Sequence, residues 1–90
     1  MKQILEKDVE AALVKRVKEL MGLCEKFNSA GRRSVPDRII TLPGGKIVMV
    51  ECKRPGAKPT EKQYADHEMR RRMGCDVRVI DSIEEAKGFK

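Results

Sequence analysis

Residues 35–53 read VPDRIITLPGGKIVMVECK, and how the two halves of this stretch pair decides both the fold and the chemistry of the chain. The runs 38–42 (RIITL) and 46–52 (KIVMVEC) are rich in β-branched residues and flank Pro43-Gly44-Gly45, a composition that reads as a β-hairpin. Side chains alternate faces along a strand, so Glu51 and Lys53 share one side while Cys52 points the other way with Val48 and Val50. If Pro43-Gly44-Gly45 is the whole loop, Leu42 pairs with Lys46. Counting outward, Asp37 then falls opposite Glu51 on one face, with Cβ atoms roughly 5 Å apart. A two-residue Gly-Gly turn would instead pair Asp37 with Cys52 and divide the carboxylates between faces, unless a β-bulge restored the register.

Working outward, residues 4–21 carry Ile4, Leu5, Val9, Leu13, Val17, Leu20 and Met21 at three- and four-residue steps, which predicts a helix that Gly22 ends. Residues 23–28 suit a short strand, and SAGRRSVPD is a loop of small and basic residues. After a second loop, RPGAKP, Thr60 opens a helix running to about Met73, with Gln63 at capping-box spacing and Gly74 behind it. Residues 76–80 read as a last strand. Ser82 with Glu85 is another capping-box pattern and predicts a closing helix over 83–88. The order helix, strand, hairpin, helix, strand, helix predicts one α/β domain over residues 1–90.

Ninety residues at 40% hydrophobic give a thin core, so self-association would bury useful apolar surface. The net charge of +6 points to a polyanionic partner, because Lys and Arg release counterions from phosphates. Aromatic residues are only 3%, too few for a base-stacking platform, so a partner held by its backbone and shape is favoured. Cys24, Cys52 and Cys75 are odd in number and widely spaced. With one histidine, His67, they do not make a zinc module and read as buried thiols of a reducing compartment. No apolar run approaches the ~20 residues of a membrane span, and no signal peptide is evident, so the cytoplasm is expected.

Two carboxylates held as close as Asp37 and Glu51 repel unless a cation sits between them, and an oxygen-only set suits Mg²⁺ or Mn²⁺. Lys53 beside them would orient an attacking water or stabilise charge on a phosphate. An exposed Glu-x-Lys pair alone is worth at most about 1 kcal/mol and says little. Asp37, a hairpin and then Glu-x-Lys is far more specific. In the first helix, at ~100° per residue, Val17 and Met21 lie within about 20° of Glu10, which sets that carboxylate in the apolar stripe. There it needs a compensating metal, lysine or water network. Glu6 lies on the same side one turn earlier, nearer the helix start that already favours an acid. Glu10 is therefore the preferred third acid, although either could simply pair with Lys26 or Arg38.

The pattern E…VPDRIITLPGG-KIVMVECKRPGAKPTEKQ resembles the virus-type replication–repair nuclease (VRR-NUC) family of the PD-(D/E)xK nuclease superfamily, from about Glu6 to Ala86. The resemblance implies an αβββαβ core with a small mixed sheet flanked by helices, divalent-metal catalysis, and cleavage of structured or branched DNA by a homodimer, as Holliday-junction resolvases act. It implies that Asp37, Glu51, the Cys52 backbone carbonyl and Glu10 hold Mg²⁺ or Mn²⁺, and that Lys53 is the catalytic lysine. Gln63 matches an active-site glutamine, while its capping-box position offers a second role. Ser34 and Cys52 depart from the family pattern without removing a catalytic group. Arg32, Arg33, Arg54, Lys58 and Lys62 would then hold DNA phosphates around the cut. His67 is expected on exposed helix surface. The alternative is a non-catalytic nucleic-acid-binding module on a nuclease scaffold.

Overall fold

The computed structural model describes residues 2–90. Its elements run α1 (Glu6–Glu19), β1 (Leu23–Lys26), β2 (Arg38–Thr41), β3 (Ile47–Cys52), α2 (Glu61–Arg72), β4 (Asp76–Ile80) and α3 (Ile83–Lys87). This is the expected order, with helix ends trimmed by a residue or two. The sheet has order β1-β2-β3-β4. The first three strands are antiparallel and β4 is parallel to β3, as a strand reached through a helical crossover must be. The sheet is therefore mixed, as the αβββαβ pattern requires.

One face of the sheet carries the core. Ile40, Val48, Val50, Cys52 and Ile80 point into it and meet Val9, Leu13 and Val17 from α1 with Ala86 and Phe89 from the C-terminal segment. Val9, Leu13 and Val17 are spaced four apart, so they form one fully buried stripe. Leu13 is deep enough that truncation to Ala would cost about 2–5 kcal/mol. The helix starts where the Leu5 N–H donates to Asp8 Oδ2 at 2.8 Å, and it ends where the Gly22 N–H reaches back to the Val17 carbonyl at 2.9 Å. The residue that takes the left-handed conformation there is Met21, with φ 64°, not Gly22. Gly22 is needed for space, because a Cβ on it would stand 2.8 Å from the Thr41 carbonyl oxygen of β2.

The hairpin has the three-residue loop. The Leu42 N–H donates to the Lys46 carbonyl at 2.8 Å, and Gly44 and Gly45 take φ of 95° and 88°, which a side chain would resist. The register is Arg38↔Val50, Ile39↔Met49, Ile40↔Val48 and Thr41↔Ile47. The other sheet face is covered only in part, by α2. That helix buries Asp66 and His67 rather than an apolar stripe.

Candidate active site

Continuing the hairpin register by one residue sets Asp37 opposite Glu51. Asp37 Oδ2 accepts the Cys52 N–H at 2.8 Å, which fastens the carboxyl to the end of β3. Glu51 is only 2% exposed. Burial drives its pKa upward, the neighbouring Asp37 carboxyl raises it further, and Lys53 opposes both; the result is pushed up to about 8. Lys53 Nζ stands 3.7 Å from Glu51 Oε2 and is mostly buried with it. Of the pair's four oxygens, Glu51 Oε1 is buried with no hydrogen-bond partner among the described residues. Such an atom costs about 1–3 kcal/mol until something meets it.

Gln63 makes the contacts of both roles its position offers. Its Oε1 accepts the Thr60 N–H at 2.9 Å, and the Thr60 hydroxyl accepts the Gln63 N–H at 3.2 Å, which completes the capping box. Its Nε2 meanwhile donates to Glu51 Oε2 at 3.2 Å. The cap therefore fixes the amide that grips the acid.

Arg38 follows Asp37 and so projects from the opposite face of β2, toward α1. There its Nε donates to Glu10 Oε2 at 2.8 Å. Glu10 is compensated by that arginine, the pairing left open above, and lines the same cleft as Asp37. Among the described residues no three His, Cys, Asp or Glu side chains stand close enough to enclose a cation. Glu6, one turn earlier on the helix, also shares the field of the pair. Burial and then the charge of Asp37 raise its pKa, Lys53 lowers it, and Glu6 in turn raises that of Glu51.

His67 departs from expectation. It is fully buried, not exposed, and its Nε2 faces Glu51 Oε1 at 3.9 Å. Neither ring nitrogen has a hydrogen-bond partner among the described residues. Burial, then Arg71, push its pKa down, so the ring is neutral at physiological pH. Its four-residue step from Gln63 was the signal available in the sequence, since residues four apart share a helix face.

Cys52 lies between Glu51 and Lys53 with its thiol in the core; burial holds that thiol far above its ordinary pKa and inert. All three cysteines are free. Arg32, expected to meet phosphate, turns its guanidinium to Asp66, with Nε and Nη2 donating to Oδ1 at 3.1 and 3.0 Å. Asp66 also accepts from Arg70 Nε at 2.7 Å, and Arg70 lies over the Phe27 ring at 4.9 Å. This knot ties the basic loop to α2. Arg33, Arg54, Lys58 and Lys62 remain exposed. A cleft of about 510 Å³ runs from Asp37 past Arg33 to Lys26 and Phe27. Another of about 510 Å³ is rimmed by Arg33, Lys62 and Arg72, the last a cation the sequence reading had not assigned.

Comparison with known proteins gives two findings. The chain is 48% identical over 82 residues to "Putative nuclease p44" of Acyrthosiphon pisum secondary endosymbiont phage 1, covering 91% of this chain and 88% of that protein. It superposes on a solved VRR_NUC domain with a TM-score of 0.86 and 33% identity, over 92% of this chain and 90% of that one. No family model matches the chain. Among the described residues no helix is long and apolar enough to cross a membrane.

Proposed function

This chain belongs to the VRR_NUC nuclease family, and on that premise we propose that it is a metal-dependent endonuclease that hydrolyses phosphodiester bonds in branched or duplex DNA. The observation that carries the reading is the Asp37–Glu51 pair: two acids forced together, with the pKa of the buried Glu51 pushed up to about 8. That arrangement fits a hard divalent cation, Mg²⁺ or Mn²⁺, because oxygen donors and unbalanced negative charge are what such an ion takes. Asp37, Glu51 and the Cys52 backbone carbonyl would hold it. When bound it supplies Lewis acidity and charge neutralisation at the scissile phosphate.

The remaining work falls to the chain. The Lys53 ammonium, fixed by Glu51, stabilises the charge that grows on the phosphate oxygens and orients the incoming water. Gln63 keeps the Glu51 carboxylate in place. Glu10, which lines the cleft with Asp37 and is held by Arg38, is the helix-one acid, with Glu6 in the same field one turn away. Arg33, Arg54, Lys58 and Lys62 hold the backbone either side of the cut, which suits recognition by shape and charge rather than by base.

A second copy fits the uncovered apolar end of the sheet. Leu23, Thr41 and Ile47 lie in one cross-strand row, and Leu23 and Ile47 are 61% and 53% exposed. This row is at the hairpin end, away from Asp37 and Glu51, so a homodimer joined there presents two free sites. Free thiols agree with a cytoplasmic setting.

The test is cleavage of plasmid, linear duplex and four-way-junction DNA with Mg²⁺, with Mn²⁺ and with EDTA. Metal-dependent cutting, strongest on the junction, is expected. A folded protein that binds DNA but cuts none of these under any metal would establish the non-catalytic alternative.

A further inference from the structure

We propose that His67 is a positioning residue for Glu51, holding the Oε1 side of the carboxylate while Gln63 and Lys53 hold Oε2, so that the acid presents one orientation to the cation. The assignment rests on the metal-dependent reading above. It begins with an anomaly of packing. His67 is 0% exposed, yet both of its ring nitrogens lack partners among the described residues, as does the Glu51 oxygen it faces. Native interiors leave few polar atoms unmet, and three in one spot call for a reason. An apolar side chain would fill this site more cheaply if filling were all the site required.

The geometry supplies the reason. Gln63 and His67 stand one turn apart on α2 and look at the same carboxylate. Gln63 Nε2 donates to Glu51 Oε2 at 3.2 Å, and Lys53 Nζ is 3.7 Å from that same oxygen. His67 Nε2 is 3.9 Å from Oε1. That gap is too long for a hydrogen bond, but the terminal torsion of a glutamate is broad, and a modest rotation of the carboxylate closes it. One helix face thus addresses both oxygens of one acid. The rotational phase of the helix is itself fixed next door, where Asp66 is tied to Arg32 and Arg70. A ring N–H is a donor without a formal charge, so it can grip the carboxylate without competing with a cation for it. Outer hydrogen bonds of this kind are worth about 10–100-fold in metal affinity where they support a ligating carboxylate.

The experiment is a calorimetric Mn²⁺ titration of the full chain, run with metal-free melting curves, on wild type, His67→Leu, His67→Met, His67→Gln and Glu51→Gln. Wild-type binding that Glu51→Gln abolishes is the control for the parent reading; if wild type takes up no Mn²⁺, that reading fails and takes this one with it. Given the control, His67→Leu is expected to bind Mn²⁺ about 10–100-fold more weakly while melting no lower than wild type without metal. His67→Gln, which keeps an amide N–H, is expected to recover most of the loss. Cleavage should follow affinity and return at high Mn²⁺, a pattern that a purely structural residue does not produce. His67→Met, more adaptable in shape, repeats the measurement should the leucine variant not fold. The assignment is overturned if an apolar variant binds within about twofold of wild type, if Gln is as weak as Leu, or if both apolar variants unfold, since the ring would then serve the core alone.

Discussion

Glu51 and Asp66 lie equally deep in this small protein, each 2% exposed, and their surroundings are opposite. At Asp66, burial pushes the pKa up but hydrogen bonds from Arg70 and Arg32 more than offset it, and the carboxyl is held below its ordinary value. At Glu51, burial acts in the same direction and Asp37 adds to it, so the pKa rises to about 8. One acid has every need met within the chain. The other has an orphaned oxygen and a second acid for a neighbour. The first is a fastening for a loop; the second is a place kept short of positive charge. Burial alone does not separate structure from chemistry, whereas the partners of a buried charge do.

The largest expected effect is on cleavage. Asp37→Asn, Glu51→Gln or Lys53→Ala should lower it by at least about 10²–10³-fold in a junction-cleavage assay, with the fold intact. Asp66→Asn in the same assay should keep its activity at low temperature. If it is lost as completely as in Glu51→Gln, the contrast between the two acids fails. Next in size is stability. Asp66→Ala leaves Arg70 without its buried partner and should cost about 3 kcal/mol in urea unfolding, the low end for a broken buried pair because Arg32 is half exposed.

The two acids should also oppose each other in pH. In EDTA, the raised pKa of Glu51 contributes stability that is complete below its ordinary value of 4.5 and is lost as pH rises through about 8. The depressed pKa of Asp66 contributes stability present above its ordinary 3.8 and lost as pH falls through its lower folded value. Above the range where His67 titrates, unfolding free energy should therefore decline from about pH 7 to about pH 9 in wild type and more weakly in Glu51→Gln. On α1, Glu10→Gln should cost about 1 kcal/mol by weakening Arg38 and should also lower cleavage, since Glu10 lines the cleft with Asp37. The smallest effect is expected from Arg33→Ala, which should reduce the slope of log DNA affinity against log salt by about 1 without altering unfolding.

The fold was largely legible. Strand alternation and the Pro43-Gly44-Gly45 spacing predict the pairing of Asp37 with Glu51, and the register agrees. The miss at His67 depends on the rotational phase of a helix against the sheet. For α1 the apolar stripe places Glu10 beside buried residues, and the structure sets it on Arg38 at the cleft that Asp37 also lines. For α2 there is no apolar stripe to read. Its buried positions are Asp66 and His67, so hydrophobic periodicity carries no phase and the histidine was expected on the surface. A helix that buries polar groups hides its orientation from pattern, and here that helix is the one gripping Glu51.

The exposed hairpin turn carries one more implication, for how this chain can change. Most surface loops absorb insertions and deletions freely. This one sets odd-versus-even pairing for everything beyond it, so a single residue gained or lost at Gly44 or Gly45 that no β-bulge absorbs would move Asp37 off Glu51 and onto the wrong side of the sheet, roughly 17 Å from the edit. Length variation at this solvent-bathed tip should therefore be tolerated in steps of two residues, not one, and an engineer grafting a tag there inherits the same arithmetic.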